Sequence, residues 1–248
     1  MKHFITGLEF LTRIHISKQS EWSPESFGRS VKYFPLIGGI LGILLVMFNQ
    51  IFAEYLPFIG LYMPPHVLTT LLITVNIILT GGLHCDGLMD TMDGIFSGRP
   101  KERMLEIMKD SRIGANGVIA FVLLITLKWS LIIDISPLSL PAALLIMPVL
   151  GRFAMVIGIT VFPYARPDGI GKAFAHYADK YTLYISLLLT LLVIIPVGKQ
   201  AILGLGIVSI FTMLFARFVT NLLGGLTGDI YGAISELAEI MVLFVFLY

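Results

Sequence analysis

Long apolar stretches alternate with short polar segments along the whole chain. A helix needs about 20 mostly apolar residues to cross the roughly 30 Å hydrocarbon core of a membrane. The pattern predicts helices over residues 33–56, 66–83, 115–134, 140–162, 181–197, 201–223 and 233–248. The last stretch is short and carries Glu236 and Glu239. We therefore expect a single all-α domain over 1–248, a polytopic integral membrane bundle with six or seven transmembrane helices.

Composition supports a membrane protein and excludes several other classes. Charged residues make up 13% of the 248 residues, whereas soluble domains carry about 25%. A net charge of +1 argues against nucleic-acid binding, and the single cysteine, Cys85, excludes a disulfide scaffold. Residues 1–10 lack the features of a signal peptide and are predicted to form a short interfacial helix. The lipid bilayer is thus the first expected partner.

The basic residues predict the orientation of the bundle. Lysine and arginine accumulate in cytoplasmic loops of membrane proteins. They occur at Lys2, Arg13, Lys18, Arg29 and Lys32 before the first span, at Arg99, Lys101, Arg103, Lys109 and Arg112 after the second, and at Arg166, Lys172 and Lys180 after the fourth. The alternate connections hold only Lys199. We expect a multi-pass protein of the cell (inner) membrane, with the N-terminus and the 84–114 segment in the cytoplasm.

Three aspartates follow the second span at helical spacing. Asp86, Asp90 and Asp93 stand at positions i, i+4 and i+7, which places them within about 60° on one helix face. Carboxylates at this spacing repel one another unless a cation lies among them, and hard oxygen ligands suit Mg²⁺, Mn²⁺ or Ca²⁺. We predict that all three bind a metal. The alternative is a solvated acidic face at the membrane boundary. The neighbouring His84 and Cys85 are more typical of packing residues than of metal ligands.

A basic segment follows the aspartates. Residues 99–110 have the spacing of an amphipathic helix that lies at the interface, or of an ordinary surface helix. Lys109, Asp110, Ser111 and Arg112 then place two cations, a carboxylate and a hydroxyl directly before the third span. Lysine and arginine beside metal-binding aspartates are suited to hold a diphosphate. Asp110 is a further candidate metal ligand, so the acidic and basic segment 84–114 is the predicted active site.

Other polar residues interrupt the apolar pattern. Asp229 and Glu236 share one helix face near the C-terminus, where ionisable residues within a membrane are typical of functional sites. The alternative is that this end lies on the cytoplasmic surface. The stretch 163–171 is polar, and its prolines and glycines are typical of a turn. Arg152 and Arg217 lie within apolar runs, and we expect each to pair with a carboxylate.

Several of these motifs resemble those of one known family. The segments Gly82–Gly94, Met108–Gly114, Phe10–Ile14 and Gly224–Asp229 resemble the signature motifs of the cobalamin synthase family, the adenosylcobinamide-GDP ribazoletransferases. The similarity extends from the N-terminus to the last span. Cys85 replaces an aliphatic residue that is common in the family, and His15 follows the Thr-Arg-Ile motif where proline is frequent.

The resemblance implies a Mg²⁺-dependent membrane transferase that completes the nucleotide loop of cobalamin. Its substrates would be adenosylcobinamide-GDP and α-ribazole or α-ribazole 5′-phosphate, and its products adenosylcobalamin, or its 5′-phosphate, and GMP. We expect Asp86, Asp90, Asp93, Lys109, Asp110 and Arg112 to be catalytic. The expected substrate contacts are Arg13, His84, Lys109, Ser111, Arg112, Asp229 and Glu236. The oligomeric state is left open, with a homo-oligomer as one alternative.

Two other functions compete with this interpretation. A CDP-alcohol phosphotransferase also carries aspartates at helical spacing near a cytoplasmic helix end, although its motif is not reproduced after Asp86 and Gly87. An ion-coupled transporter would use Asp86, Asp90, Asp93 and Glu236 as a cation pathway. Transporters often contain paired repeats, and no repeat is visible in this sequence.

Overall fold

The computed structural model describes residues 2–16, 22–178 and 180–248, with the backbone only for Lys180. Lys18 and the side chain of Lys180, which contribute to the predicted orientation, lie outside the described part, as does Met1. The described residues form α-helices and short 3₁₀ or π turns and no β-strand. This confirms the predicted all-α class.

The helices follow one another with short connections. They are α1 (Lys2–Leu11), α2 (Pro24–Ser30), α3 (Phe34–Gln50), α4 (Pro65–Thr80), α5 (Leu83–Ile95), α6 (Lys101–Ile107), α7 (Ala115–Asp134), α8 (Leu140–Val161), α9 (Ile170–Tyr177), α10 (Lys180–Ile194), α11 (Lys199–Leu223) and α12 (Gly228–Phe246). A π-helical turn, Ile51–Tyr55, and a 3₁₀ turn, Leu56–Ile59, extend α3. The short helix α6 lies within the basic segment for which an amphipathic helix was predicted.

Each of the seven predicted spans coincides with a long helix. Four helical stretches in the described part are long and apolar enough to cross a membrane: Pro24–Ile59, α7, α8 and α11. The number rises to six if the bent pairs α4–α5 and α9–α10 are each counted as one span. The predicted seventh span, α12, is not among them, and it carries three carboxylates: Asp229, Glu236 and Glu239. The result is a polytopic helical membrane protein.

Helix α8 forms the centre of the bundle and packs against α3 and α12. Gly38 and Gly42 of α3 lie directly against the backbone of α8. A Cβ atom at Gly42 would lie 2.5 Å from the carbonyl oxygen of Leu145. The i, i+4 glycine pair therefore allows close helix contact, as is common between membrane helices.

A right-angle bend separates α4 from α5. The two helices meet at 89°, and the junction is formed by Gly81 and Gly82, whose φ angles are +65° and +71°. Only glycine adopts this left-handed conformation at little cost. The bend turns the aspartate-bearing helix across the end of α4, so that α5 packs against both α7 and α12.

Candidate active site

The aspartate-bearing helix α5 lies directly against the beginning of α12. A Cβ atom at Gly87 would lie 2.7 Å from the carbonyl oxygen of Asp229, so the two backbones approach this closely because residue 87 is glycine. The contact brings the Asp229 side chain toward Asp86 and Asp90, and the three carboxylates interact electrostatically. The acidic residues of α5 and of α12, which are far apart in the sequence, thus meet at one site.

This carboxylate cluster is only partly neutralised. Asp229 forms an ion pair with Arg166, with 2.8 Å between Oδ2 and Nη2. Within the described part of the chain, the side chains of Asp86 and Asp90 form neither an ion pair nor a hydrogen bond. Two carboxylates therefore remain without a partner beside a third that has one. Such an excess of negative charge suits a bound cation.

The cluster fits a metal that shares its ligands with a substrate. Among the described residues, no three carboxylate, imidazole or thiol side chains lie close enough to surround one ion. Mg²⁺ usually binds through one or two carboxylates, with water and substrate phosphate completing the octahedron. Asp86 and Asp90 meet that smaller requirement. The residues therefore fit a two-carboxylate site, and the structure does not supply the three-aspartate cage that the spacing predicts.

Asp93 has a different environment from the other two aspartates. Its Oδ2 accepts a hydrogen bond from the backbone N–H of Gly114 at 2.7 Å, and its Oδ1 accepts one from Gly117 at 2.8 Å. Any side chain at Gly117 would collide with this carboxylate, since a Cβ atom would lie 2.6 Å from Oδ2. Asp93 is thus the cap of α7, a use of aspartate that satisfies the free N–H groups of a helix start. Both of its oxygens already accept hydrogen bonds from the protein, and its role as a metal ligand stays a prediction.

The basic residues before α7 are paired with carboxylates. Arg112 binds Asp110 through several contacts, the shortest of 2.6 Å between Nη2 and Oδ2, and Lys109 lies 3.0 Å from Asp168. These hydrogen bonds hold the pKa of Asp110 well below its usual range, at about 2, and Lys109 likewise lowers the pKa of Asp168. All four side chains, like the exposed Ser111, lie outside the two cavities described next. The predicted phosphate ligands therefore line neither of these two cavities.

Two adjoining cavities flank Asp86. The larger has a volume of about 640 Å³ and is lined by residues that include Arg13, His15 and Phe121. The smaller has a volume of about 260 Å³ and is lined by residues that include Tyr164, Arg166 and Asp229. Asp86 lines both cavities, as do Phe10 and Leu83. Of the predicted substrate contacts, Arg13 lies on the larger cavity, and His84 and Asp229 lie on the smaller one.

The segment 163–171 contributes to this site, although its sequence is typical of a simple turn. Its backbone pairs with the segment before α12, where Ala165 N–H donates to Leu226 C=O and Leu226 N–H donates to Pro163 C=O, both at 2.8 Å. This pairing places Tyr164 and Arg166 on the small cavity. Sequence reasoning missed both residues. The available signal was one tyrosine, one arginine and one aspartate within nine residues rich in proline and glycine.

A second group of charged residues lies in the interior of the bundle, separate from the cavities. Lys128 of α7 pairs with both Glu236 and Glu239 of α12, each at 2.7 Å, and Glu239 also pairs with Arg152 of α8. All four side chains are at least 95% buried. Glu236 was predicted to contact substrate, but the structure places it in this ion-pair network instead. Cys85 packs here, with its thiol 3.7 Å from Glu236.

The two arginines within apolar runs differ. Arg152 pairs with a carboxylate, as predicted. Arg217 is exposed on α11 and forms no ion pair with any described residue, so that prediction is wrong. A long arginine side chain at a membrane helix surface can reach the polar interface, so it does not require a buried partner.

The fold and the site define a polytopic helical membrane protein with an anionic site between two cavities. Comparison with known proteins narrows this class. The family described as cobalamin-5-phosphate synthase matches residues 3–247. The adenosylcobinamide-GDP ribazoletransferase of Desulfitobacterium hafniense (strain Y51) is 42% identical over 98% of this chain and 95% of its own length. The enzyme of the same name from Fusobacterium nucleatum subsp. nucleatum is 35% identical over 100% and 97%, respectively. No solved structure matches the chain.

The chain belongs to the cobalamin-5-phosphate synthase family. Its match extends over nearly the whole sequence and includes every motif on which the resemblance depends. Membership confirms the family that the motifs indicated and the predicted enzyme class, a transferase of cobalamin synthesis.

Proposed function

We propose that the protein transfers the adenosylcobinamide phosphate group of adenosylcobinamide-GDP to α-ribazole or α-ribazole 5′-phosphate, with release of GMP. The names of its relatives support this donor and acceptor. One structural observation carries the proposal: Asp86, a carboxylate without a partner in the described chain, lines both cavities, and the equally unpaired Asp90 follows it one turn along α5. A reaction that joins two substrates through a phosphate requires such a meeting point.

The proposal includes Mg²⁺ held by Asp86 and Asp90 together with the diphosphate of the donor. A bound Mg²⁺ supplies charge neutralisation on the phosphate oxygens and on the departing GMP. Asp229 is the natural further contact. Its charge is balanced by Arg166, so Asp86 and Asp90 are the better ligands.

In the proposed reaction a hydroxyl of ribazole attacks the phosphorus that carries the cobinamide arm. The bond between this phosphorus and the bridging oxygen breaks, and GMP leaves with the electron pair. Arg13, on the wall of the larger cavity, is positioned to hold donor phosphate. The hydroxyl proton passes to a carboxylate or to water. Asp93 is a poor acceptor, because both of its oxygens already bind backbone N–H groups.

Lys109 and Arg112 are proposed to bind the diphosphate after exchanging their carboxylate partners for phosphate. Arginine can bind two phosphate oxygens through its planar fork, which lysine cannot reproduce. Arg112→Lys should therefore weaken catalysis although the charge is kept. The kinetic test is the apparent KM of each substrate, and a change confined to the acceptor would contradict this assignment.

The experiment that tests the function uses purified protein in liposomes with adenosylcobinamide-GDP, α-ribazole and Mg²⁺. We expect equimolar GMP and cobalamin, and no product from the double variant Asp86→Asn/Asp90→Asn. A CDP-activated donor in place of adenosylcobinamide-GDP tests the alternative phosphotransferase. Cation flux across the liposome without any chemical turnover would instead favour a transporter.

The active site is proposed to face the cytoplasm. Five lysine or arginine residues lie between the second and third predicted spans, and this excess favours the cytoplasmic side. A single cysteine at Ser97, in a Cys85→Ser background, should resist an impermeant thiol reagent in intact cells and react after the membrane is opened. Labelling in intact cells would reverse the topology.

A further inference from the structure

We propose that the smaller cavity beside Asp86 is the binding site of the acceptor nucleoside, with Tyr164, Tyr231 and Arg166 as its main contacts. The proposal rests on the proposed function and assigns one substrate to one side of the site. The donor phosphate would then approach Asp86 from the larger cavity. Because Asp86 lines both cavities, the two reacting groups would meet at this carboxylate.

Size separates the two cavities. Pockets for drug-sized ligands have volumes of about 300–1,000 Å³. The smaller cavity, at about 260 Å³, falls just below this range and suits one nucleoside. The donor carries a corrin ring, a diphosphate and a guanosine, and only the larger, 640 Å³ cavity offers space for a substantial part of it. Size alone therefore favours the acceptor on the Tyr164 side.

The wall of the smaller cavity matches an aromatic nucleoside. The rings of Tyr164 and Tyr231 lie 6.5 Å apart with 33° between their planes, and Phe174 adds a third aromatic ring. A benzimidazole base has two flat faces, and offset stacking on aromatic rings is favourable. The donor's reacting group is instead a charged diphosphate, for which these rings offer no ligand.

Buried polar atoms on the same wall lack partners within the described part of the chain. They are the hydroxyl of Tyr231 and Nε of Arg166. Tyr231 is 1% exposed, and a buried polar atom without a hydrogen bond is costly. Ribose hydroxyls or a 5′-phosphate would supply the missing partners. The sugar of the acceptor thus accounts for groups that the protein itself leaves unsatisfied.

Gly228 allows a test that leaves the fold intact. It lies on the wall of the smaller cavity, and an added Cβ atom would meet no other atom within 4 Å. Its φ angle is not in the left-handed region, so a larger residue is tolerated there. Gly228→Leu should fill the cavity. Gly206→Leu is the matched control, because Gly206 also faces open space, on α11 and away from both cavities.

The first measurement is steady-state kinetics with each substrate varied in turn. Gly228→Leu should raise the acceptor KM about tenfold or more, because the filled space excludes the base. The donor KM should change less than about twofold, and Gly206→Leu should match wild type in both. Tyr164→Leu should also raise the acceptor KM, and Tyr164→Phe should restore it. A rise confined to the donor KM would assign the cavity to guanosine and overturn the proposal, as would no change.

A second measurement does not depend on turnover. Equilibrium binding of α-ribazole alone is measured with wild type, Gly228→Leu and Gly206→Leu in detergent. Binding that is lost only in Gly228→Leu supports the proposal even if no cobalamin forms and the proposed function fails. Equal binding in all three proteins, or no binding to wild type, overturns it while leaving a measured transferase activity valid.

Discussion

Two groups of acidic residues lie on α5 and α12, and they differ in how their charges are balanced. In the interior, Glu236 and Glu239 are enclosed by Lys128 and Arg152, so two negative charges meet two positive ones. The second group, here called the cavity group, consists of Asp86, Asp90 and Asp229, and these three carboxylates meet a single cation, Arg166. The formal charges of the first group cancel within the protein. The second group has an excess of negative charge, which a bound metal ion would neutralise.

The difference separates a structural use of charge from a functional one. Ionisable residues within a predicted membrane segment suggest function by default. Glu236 fits that rule in the sequence, yet its carboxylate binds a lysine and lines neither cavity beside Asp86. In this protein, the number of ion-pair partners of a carboxylate therefore distinguishes a functional from a structural role better than its depth in the membrane does. We therefore expect substitutions in the cavity group to reduce activity and substitutions in the interior group to reduce stability.

The largest effect is expected at the cavity group. Asp86→Asn and Asp90→Asn should each lower kcat/KM by about a thousandfold, because the amide removes the charge that a hard cation needs. Neither carboxylate has a partner in the described chain, so the midpoint of unfolding should stay near that of wild type. The measurements are GMP release at saturating Mg²⁺ and denaturant unfolding in detergent.

The matched control is Glu102→Gln, at an exposed carboxylate on the short helix α6. It removes the same charge from the same segment and should retain activity. Turnover within tenfold of wild type for both aspartate variants would return Asp86 and Asp90 to the alternative of a solvated acidic face.

The interior group should respond mainly in stability. Lys128→Met leaves two buried glutamates with one arginine, and an uncompensated buried charge costs about 3 kcal/mol or more. The double variant Lys128→Met/Glu236→Gln restores neutrality around the Arg152–Glu239 pair. It should recover a large part of the lost free energy of unfolding.

Both variants are compared by chemical unfolding in detergent, followed by the fluorescence of the two tryptophans, Trp22 and Trp129. If Glu236→Gln lowers the free energy of unfolding further when it is added to Lys128→Met, the charges of Lys128 and Glu236 do not compensate each other. The interior group would then not be held together by charge balance, contrary to our inference.

The fold was largely predictable from the sequence, because membrane spans depend on local apolar length. The seven stretches recognised by hydropathy each form a helix. The site was predictable only in part. Helical spacing identifies Asp86 and Asp90, since both periodicity and chemistry are local. The meeting of Asp229 with α5 depends on a glycine contact between helices more than 130 residues apart, which spacing cannot reveal.

Asp93 shows what helical spacing cannot reveal. It shares a face with Asp86 and Asp90, but its carboxylate is within reach of the N-terminus of α7, whose free N–H groups it caps. The position of α7 is a tertiary property. The same limit applies to Arg166, whose function depends on backbone pairing with Leu226 and not on any local pattern.

A smaller effect is expected from Asp93. Asp93→Ala removes a helix cap and should destabilise the protein by about 1–2 kcal/mol. The helix α7 also follows the Lys109–Arg112 segment, so kcat should fall by a moderate factor. The apparent affinity for Mg²⁺, obtained from activity against Mg²⁺ concentration, should remain that of wild type. Asp86→Asn and Asp90→Asn should each weaken it, and a comparable loss in Asp93→Ala would make Asp93 a metal ligand after all.

The smallest effect is expected at Asp110, where the direction of the change in donor KM distinguishes two roles. Arg112 holds the pKa of Asp110 at about 2, so this carboxylate stays ionised at any ordinary assay pH. Because the pKa is lowered by folding, the stabilising effect of the pair is present above about pH 4 and is lost as the pH falls toward 2. Both side chains reach solvent, and little stability is at stake.

If Asp110 competes with the diphosphate for Arg112, Asp110→Asn releases the guanidinium for the donor. The donor KM should then fall about twofold to threefold, equally at pH 6 and pH 8, because a single exposed ion pair is weak. If Asp110 is instead a metal ligand, as its sequence position also allows, the same variant raises the Mg²⁺ requirement and lowers kcat. Two measurements separate the roles: donor KM at saturating Mg²⁺, and activity against Mg²⁺ concentration. A lower donor KM with an unchanged Mg²⁺ requirement would show that Asp110 competes with phosphate for Arg112. A raised Mg²⁺ requirement with a lower kcat and no fall in donor KM would instead group Asp110 with Asp86 and Asp90.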